Sequence, residues 1–222
     1  MYWIIFILIS LASWLVQSNL KRKFERYSQQ AIPLTGAQVA QRMLQSHGIY
    51  DVRITHVQGT LTDHYNPTNK TLNLSDAVYG EANIAAAAVA AHECGHAVQH
   101  ATAYSWLTLR SKLVPAVSLA SNWCSWILLG GILLINVFPA LMLLGIILFA
   151  MTTLFSLVTL PVEIDASRRA LAWLDRSGLT SAYTQKDARS ALSAAAYTYV
   201  VAALGSLATL CYYVMVYMGR RD

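Results

Sequence analysis

Three residues of one helical turn, His92, Glu93 and His96, stand at a spacing that can bind a metal ion and activate water. Residues i and i+4 lie about 40° apart around a helix axis and one turn along it, so both imidazoles can meet one cation. Glu93, beside the first histidine, is then placed to act as a general base. This His-Glu-x-x-His pattern predicts a hydrolytic centre with Zn²⁺ as its cofactor. The alternative is a set of polar side chains that hydrogen-bond one another on a half-buried helix.

A catalytic zinc site usually has three protein ligands and one open position, so a third ligand is needed. Outside the motif the sequence has three glutamates, Glu25, Glu81 and Glu163. Glu25 stands in a basic cluster, and Glu81 is expected about three turns back on the motif helix itself. Glu163 is therefore the predicted ligand by elimination, with Asp165 as a fallback ligand or a residue that orients a histidine. The alternative is that both acids complement the dipole of a helix starting next to Pro161.

Several stretches around these residues also resemble a known family. The segments "LTDHYNP", "LNLSDAVY", "VAAHECGHAVQHA" and "LPVEIDASRRAL" are similar to the bacterial YugP-like family of membrane-bound neutral zinc metallopeptidases, over about residues 59–171. More distantly, Glu163 and Ala166 resemble the Glu-x-x-Ala-Asp signature of the CAAX prenyl protease and HtpX-like membrane peptidases, in which the Glu is the third zinc ligand. The resemblance implies a gluzincin-type site. Ser167 stands where that signature has Asp, which leaves the partner of the histidine ligands open.

Other polar residues are predicted to assist the centre. His64 and Tyr65, in the predicted strand before the motif helix, are candidates for stabilising an oxyanion, although polar residues at strand ends are more often structural. Ser167 and Arg168 are candidates for supporting a ligand or binding an oxyanion, and contact with lipid headgroups is the alternative for Arg168. Cys94 is interpreted as a small filler of the helix, and an inhibitory or redox-sensitive zinc ligand is the alternative.

The composition indicates a membrane protein. Hydrophobic residues make up 56% of the chain and charged residues only 12%, which lies outside the range of soluble domains. No charged residue lies between Lys112 and Glu163, a run too long for one crossing of a hydrocarbon core of about 30 Å. Asn136 and Pro139 supply a turn within it, so two spans are predicted, at about 118–138 and 140–160.

Apolar segments at both ends of the chain bring the predicted spans to four. A short helix capped by Thr35 and a hairpin or three-stranded sheet are expected before the motif helix. The predicted fold is therefore a mainly α integral membrane protein with about four transmembrane helices and a small α+β zincin-like catalytic region. Its predicted parts are a membrane anchor (1–20), a catalytic region (21–117), a transmembrane hairpin (118–160), a helical segment with the third ligand (161–193) and a C-terminal transmembrane helix (194–222).

Basic residues concentrate in two segments, with four in positions 21–26 and five within 162–195. The positive-inside rule predicts that both lie in the cytoplasm, against the counterweight of Arg220 and Arg221. The expected location is a multi-pass protein of the plasma membrane with its active site on the cytoplasmic side. The net charge of +5 is explained by this bias and by anionic headgroups, so the bilayer is an expected partner and nucleic acid is not. The oligomeric state is left open.

Together these features predict a membrane-bound zinc metallopeptidase that hydrolyses peptide bonds in unfolded or membrane-associated protein. Glu93 is expected to take a proton from the attacking water and pass it to the leaving amine. The strands are expected to bind substrate as an added strand. An intramembrane-cleaving metalloprotease is one alternative, because the alanine-rich motif helix is apolar enough to lie deep. A zinc-dependent membrane scaffold without turnover is the other, although such a site has no use for the base Glu93.

Overall fold

The computed structural model describes residues 2–219 and confirms a mainly α-helical membrane protein with one small sheet. The helices are α1 Tyr2–Tyr27, α2 Gly36–Ser46, α3 Ile84–Ala101, α4 Ser105–Leu133, α5 Pro139–Arg176 and α6 Ala182–Gly219. The strands are β1 Arg53–Val57, β2 His64–Asn66 and β3 Thr71–Ser75. The His-Glu-x-x-His residues lie on α3.

Four helices, α1, α4, α5 and α6, are long and apolar enough to cross a membrane, which agrees with the predicted number of spans. Within residues 2–219, the motif helix α3 is not among them. Helices α4 and α5 are separated at residues 134–138, where the turn at Asn136 is predicted. Arg220 and Arg221, the predicted counterweight to the basic segments, lie outside the described residues.

Helices α5 and α6 extend beyond the predicted apolar segments, whereas α4 both begins and ends before its predicted span. Helix α5 runs through Pro161 without a break, so the alternative of a helix start next to this proline is wrong. Proline removes one hydrogen bond inside a helix, but Val162 and Ala166 beyond it are fully buried, and such packing stabilises a helix more than local propensity does. Glu81 precedes α3, so its expected position on the motif helix is also wrong.

The sheet has three strands, one of the two arrangements predicted. Strand β3 is central, parallel to β1 and antiparallel to β2, with Tyr65 paired to Leu72. Leu72 and Leu74 of β3 are fully buried. β2 is therefore an edge strand, and Tyr65 lies on it.

The chain forms two compact units. The first holds residues 16–107 and 161–197, which include the sheet, α2, α3 and every predicted site residue. Its core contains the large, fully buried side chains Met43, Leu72, Leu74, Ile84 and Leu174. The second holds helical segments before residue 16, between 108 and 160, and after 197. Its core is formed by the buried residues Cys124, Leu128, Met142 and Ile146.

Helix α2 begins at the predicted N-cap, Thr35. The Thr35 hydroxyl accepts a hydrogen bond from the Gln38 N–H, and the Gln38 side chain accepts one from the Thr35 N–H. This capping box satisfies two backbone donors at the helix start. The buried face of α2, including Val39 and Met43, joins the core that holds α3 in place.

Candidate metal centre

Helix α3 is held inside its unit by small, buried side chains. Asn83 is its N-cap, and the side-chain oxygen of Asn83 accepts a hydrogen bond from the Ala86 N–H, as an N-cap side chain does. Alanine favours helix and lets a neighbouring helix approach closely, and the alanines between 85 and 91 are buried. The Cys94 sulfur lies 3.5 Å from the Ala40 carbonyl oxygen of α2. The apolar character of α3 is thus accounted for by burial within the protein.

Helix α5 supplies the side chains that face the α3 histidines. The two helices approach each other at Gly95 and Ala166, where a side chain at position 95 has no room. Glu163 precedes Ala166 by about one turn of α5 and is 3% exposed. The close approach therefore brings a buried carboxylate to His92 and His96.

The three predicted ligands converge in the structure. The Glu163 Oε2 atom lies 3.2 Å from His92 Nε2 and 3.6 Å from His96 Nε2. One ligand atom from each residue lies within 4.8 Å of the other two. The two imidazole planes are nearly perpendicular, at 83°, with ring centroids 4.8 Å apart. Both rings therefore direct the same nitrogen toward one carboxylate oxygen.

This donor set fits zinc. Nitrogen and oxygen ligands at about 2.0–2.1 Å from a tetrahedral Zn²⁺ are about 3.3 Å apart, close to both Glu163–histidine distances. The electrostatics also favour a cation. Burial lowers the pKa of His96, but the hydrogen bond that its ring donates to Glu163 and the charges of Glu93 and Glu163 outweigh burial and raise the pKa above its ordinary value.

The ring of His96 is oriented by Gln99, one turn further along α3. The Gln99 amide nitrogen donates to the Val162 carbonyl at 2.8 Å and to Asp165 Oδ2 at 2.9 Å. Neither acceptor carries a hydrogen atom, so the Gln99 atom that contacts them must be the amide nitrogen. The other terminal atom of the Gln99 side chain is therefore the oxygen. That oxygen lies 3.0 Å from His96 Nδ1. Nδ1 must then carry a proton, which leaves Nε2, the nitrogen on the side of Glu163, as the atom that can bind a metal ion.

The sequence comparisons agree with this geometry. Residues 2–218 match the family described as "Putative neutral zinc metallopeptidase". The chain belongs to this family. It is 44% identical over 216 residues to the "Putative membrane protease YugP" of Bacillus subtilis strain 168, which covers 96% of this chain and 95% of the relative. No solved structure matches the chain. The predicted resemblance to YugP-like zinc metallopeptidases is confirmed.

In this member of the zinc metallopeptidase family, Ser167 contacts the first histidine. Its hydroxyl oxygen lies 3.1 Å from His92 Nδ1, on the side of the ring opposite the Nε2 atom that faces Glu163. The sequence leaves the partner of the histidines open, because Ser167 replaces an Asp of the related signature. The hydroxyl is a neutral partner that can either accept or donate a hydrogen bond.

Glu93 faces the edge strand of the sheet. Its Oε2 atom accepts a hydrogen bond of 3.0 Å from the backbone N–H of Tyr65, and the side chain is 8% exposed. The Tyr65 hydroxyl lies 2.8 Å from the Nδ1 atom of the exposed His100. Burial raises the pKa of Tyr65, so its phenol stays neutral. Tyr65 thus reaches the centre through its backbone.

The remaining predicted residues lie in different surroundings. Asp165, the fallback ligand, contacts Gln99 and the Arg169 Nε atom, the latter at 2.6 Å. It therefore reaches His96 through Gln99. His64 contacts the Thr62 carbonyl and the Asn73 amide within its own sheet region.

Arg168 is exposed and lines a groove between α5 and α6. The contact between Gln99 and His96 is not among the predictions from the sequence. Its one signal is a position three residues after His96 on the motif helix, where an amide can reach back to the ring.

Proposed function

We propose that this protein is a membrane-bound zinc metallopeptidase that hydrolyses peptide bonds, with His92, His96 and Glu163 as zinc ligands and Glu93 as general base. The convergence of two imidazole Nε2 atoms and one buried carboxylate oxygen carries the proposal. Membership of a zinc metallopeptidase family supports it. The four apolar helices and a relative named as a membrane protease support a location in the membrane.

The chain's own residues would divide the chemistry between them. Zinc, when bound, would act as a Lewis acid that polarises the carbonyl of the substrate and lowers the pKa of water. Glu93 accepts the proton of the attacking water and delivers it to the leaving amine. The Tyr65 N–H keeps the Glu93 carboxylate in place. Gln99 and Ser167 hold the two imidazoles in the orientation that a ligand needs.

Strand β2 is the proposed binding edge for substrate. It lies at the edge of the sheet, and its Tyr65 N–H already reaches Glu93, so this edge and the base lie next to each other. An extended peptide added to this edge would bind through backbone hydrogen bonds. Such binding reads the backbone more than the side chains, so unfolded or membrane-associated polypeptides are the proposed substrates.

A peptidase acting outside the hydrocarbon core is favoured over the two alternatives. Helix α3 is apolar because it packs in a protein core with α2, and within the described residues it is not a candidate span. This weakens the case for cleavage inside the membrane. The scaffold alternative leaves Glu93 unused, because a purely structural zinc site is normally closed by a fourth protein ligand.

The proposal is tested with purified protein in detergent and casein as an unfolded substrate. We expect Glu93→Gln to retain zinc and to lose about 10²- to 10⁴-fold in rate, the usual contribution of a general base. Glu81→Gln, a change of an exposed glutamate before α3, is the matched control and should leave the rate unchanged. Full activity of Glu93→Gln would refute the assignment of the base.

The ligand set is tested separately by zinc stoichiometry. We expect about one zinc per chain in the wild type, as for a site with three protein ligands. His92→Ala and Glu163→Ala should both bind much less. If Asp165→Ala lost zinc while Glu163→Ala kept it, the third ligand would be misassigned. Zinc binding by a wild-type protein that never cleaves casein would favour the scaffold instead.

A further inference from the structure

A second concave site lies beside the metal centre. A groove of about 380 Å³ runs between α5 and α6. Among the residues of the proposed centre, only Ser167 lines it. The groove combines two arginines with hydroxyl and aliphatic side chains, among them Ser167, Arg168, Leu171, Arg189, Leu192 and Ser193.

The two arginines come from different helices and face solvent. Arg168 lies on α5 and Arg189 on α6, and both are exposed. Within residues 2–219, neither guanidinium has an ion-pair partner. Asp175 also lines the groove, but it is two turns, or about 10 Å, from Arg168 along α5. The arginine end of the groove is therefore positive and unneutralised.

The groove coincides with the point where both helices change character. On α5, no charged residue precedes Glu163, and on α6 none follows Arg189 up to Gly219. For helices that cross a membrane, the change from apolar to charged sequence marks the headgroup region. Exposed Ile164 and half-buried or buried leucines line the groove beside the arginines. The site thus pairs cationic and apolar surface at the depth of the headgroups.

We propose that this groove binds a phospholipid, with its phosphate held by Arg168 and Arg189. Guanidinium groups form charge-assisted, bidentate hydrogen bonds with phosphate, and basic pockets between transmembrane helices bind lipid headgroups. The aliphatic side chains would contact the start of the acyl chains. The distal Asp175 would face the polar end of the headgroup.

The test is native mass spectrometry of the detergent-purified full chain with added phosphatidylglycerol. We expect Arg168→Gln and Arg189→Gln each to reduce the affinity for the lipid about tenfold, the effect of losing one charged hydrogen-bond donor. Lys186→Gln is the matched control, because Lys186 is an exposed cation on α6, about one turn from Arg189, that does not line the groove. It should bind the lipid as the wild type does.

Equal losses in all three variants would mean attraction by overall charge and would overturn the proposal. Unchanged lipid binding in Arg168→Gln and Arg189→Gln would also overturn it. If a short acidic peptide displaced the lipid, and a higher lipid concentration did not restore lipid binding, the groove would be a peptide site instead. An unchanged melting temperature shows that a variant is folded. None of these measurements depends on catalysis, so the lipid-binding proposal is tested independently of the peptidase proposal.

Discussion

Gly95 of α3 lies against Ala166 of α5, so close that a β-carbon at position 95 would be 2.6 Å from the Ala166 carbonyl oxygen and 3.0 Å from its Cα atom. Both obstacles are backbone atoms, which cannot turn away as a side chain can. The residue immediately before the second histidine of the His-Glu-x-x-His motif is therefore small for a structural reason. The contact sets the distance between the helix that carries His92 and His96 and the helix that carries Glu163.

We expect Gly95→Ala to push α3 and α5 apart, to lower stability by about 1–3 kcal/mol, as overpacking does, and to reduce zinc content. Thermal unfolding and zinc stoichiometry measure the two effects. Gly80→Ala is the matched control, because a β-carbon there meets no atom within 4 Å. Normal zinc content in Gly95→Ala would show that the close contact is dispensable.

We expect Gln99→Leu to weaken zinc binding about 10- to 100-fold, the usual effect of removing the partner of a metal-binding histidine. Leucine offers no acceptor to the Nδ1–H of His96 and removes the side-chain donor to the Val162 carbonyl. Competition with a chelator of known affinity measures the change. Gln45→Leu, on an exposed position of α2, should bind zinc normally, and an equal affinity in both variants would exclude a role for Gln99.

Cys94 is expected to resist alkylation in the folded protein. It is fully buried, and burial raises the pKa of its thiol well above the ordinary value, so little of the reactive thiolate forms at neutral pH. Peptide mapping by mass spectrometry after treatment with a maleimide should find Cys94 modified only when the protein is denatured. Rapid labelling of the native protein would contradict its assignment as a helix filler.

The predicted cytoplasmic position of the candidate centre is tested by labelling from one side of the membrane. Tyr50, in the unit with the metal centre, is 79% exposed, and Val137, between α4 and α5, is 84% exposed. In a cysteine-free background and inverted vesicles, we expect an impermeant maleimide to label Tyr50→Cys and not Val137→Cys. Right-side-out cells should give the opposite pattern. Reversed labelling would place the active site outside.

Local patterns were enough to predict the zinc motif and the spans. The spacing of His92 and His96 matches the helical period. The uncharged run that ends at Glu163 is too long for one span, and this follows from the thickness of a membrane alone. Glu163 itself followed from elimination, because only three glutamates lie outside the motif. The hydrogen-bond partners of the two histidines did not follow in the same way.

Contacts between distant parts of the chain were decided by the tertiary structure. Ser167 meets His92 across 75 residues and Gln99 meets Val162 across 63, and neither pairing leaves a periodic signal in the sequence. Helix α5 continues through Pro161 because buried residues beyond it hold the helix together. The sequence by itself determined which residue types could form the centre. Only the packing of α3 on α5 decided which hydrogen bonds orient them, because helix packing depends on the shapes of both surfaces.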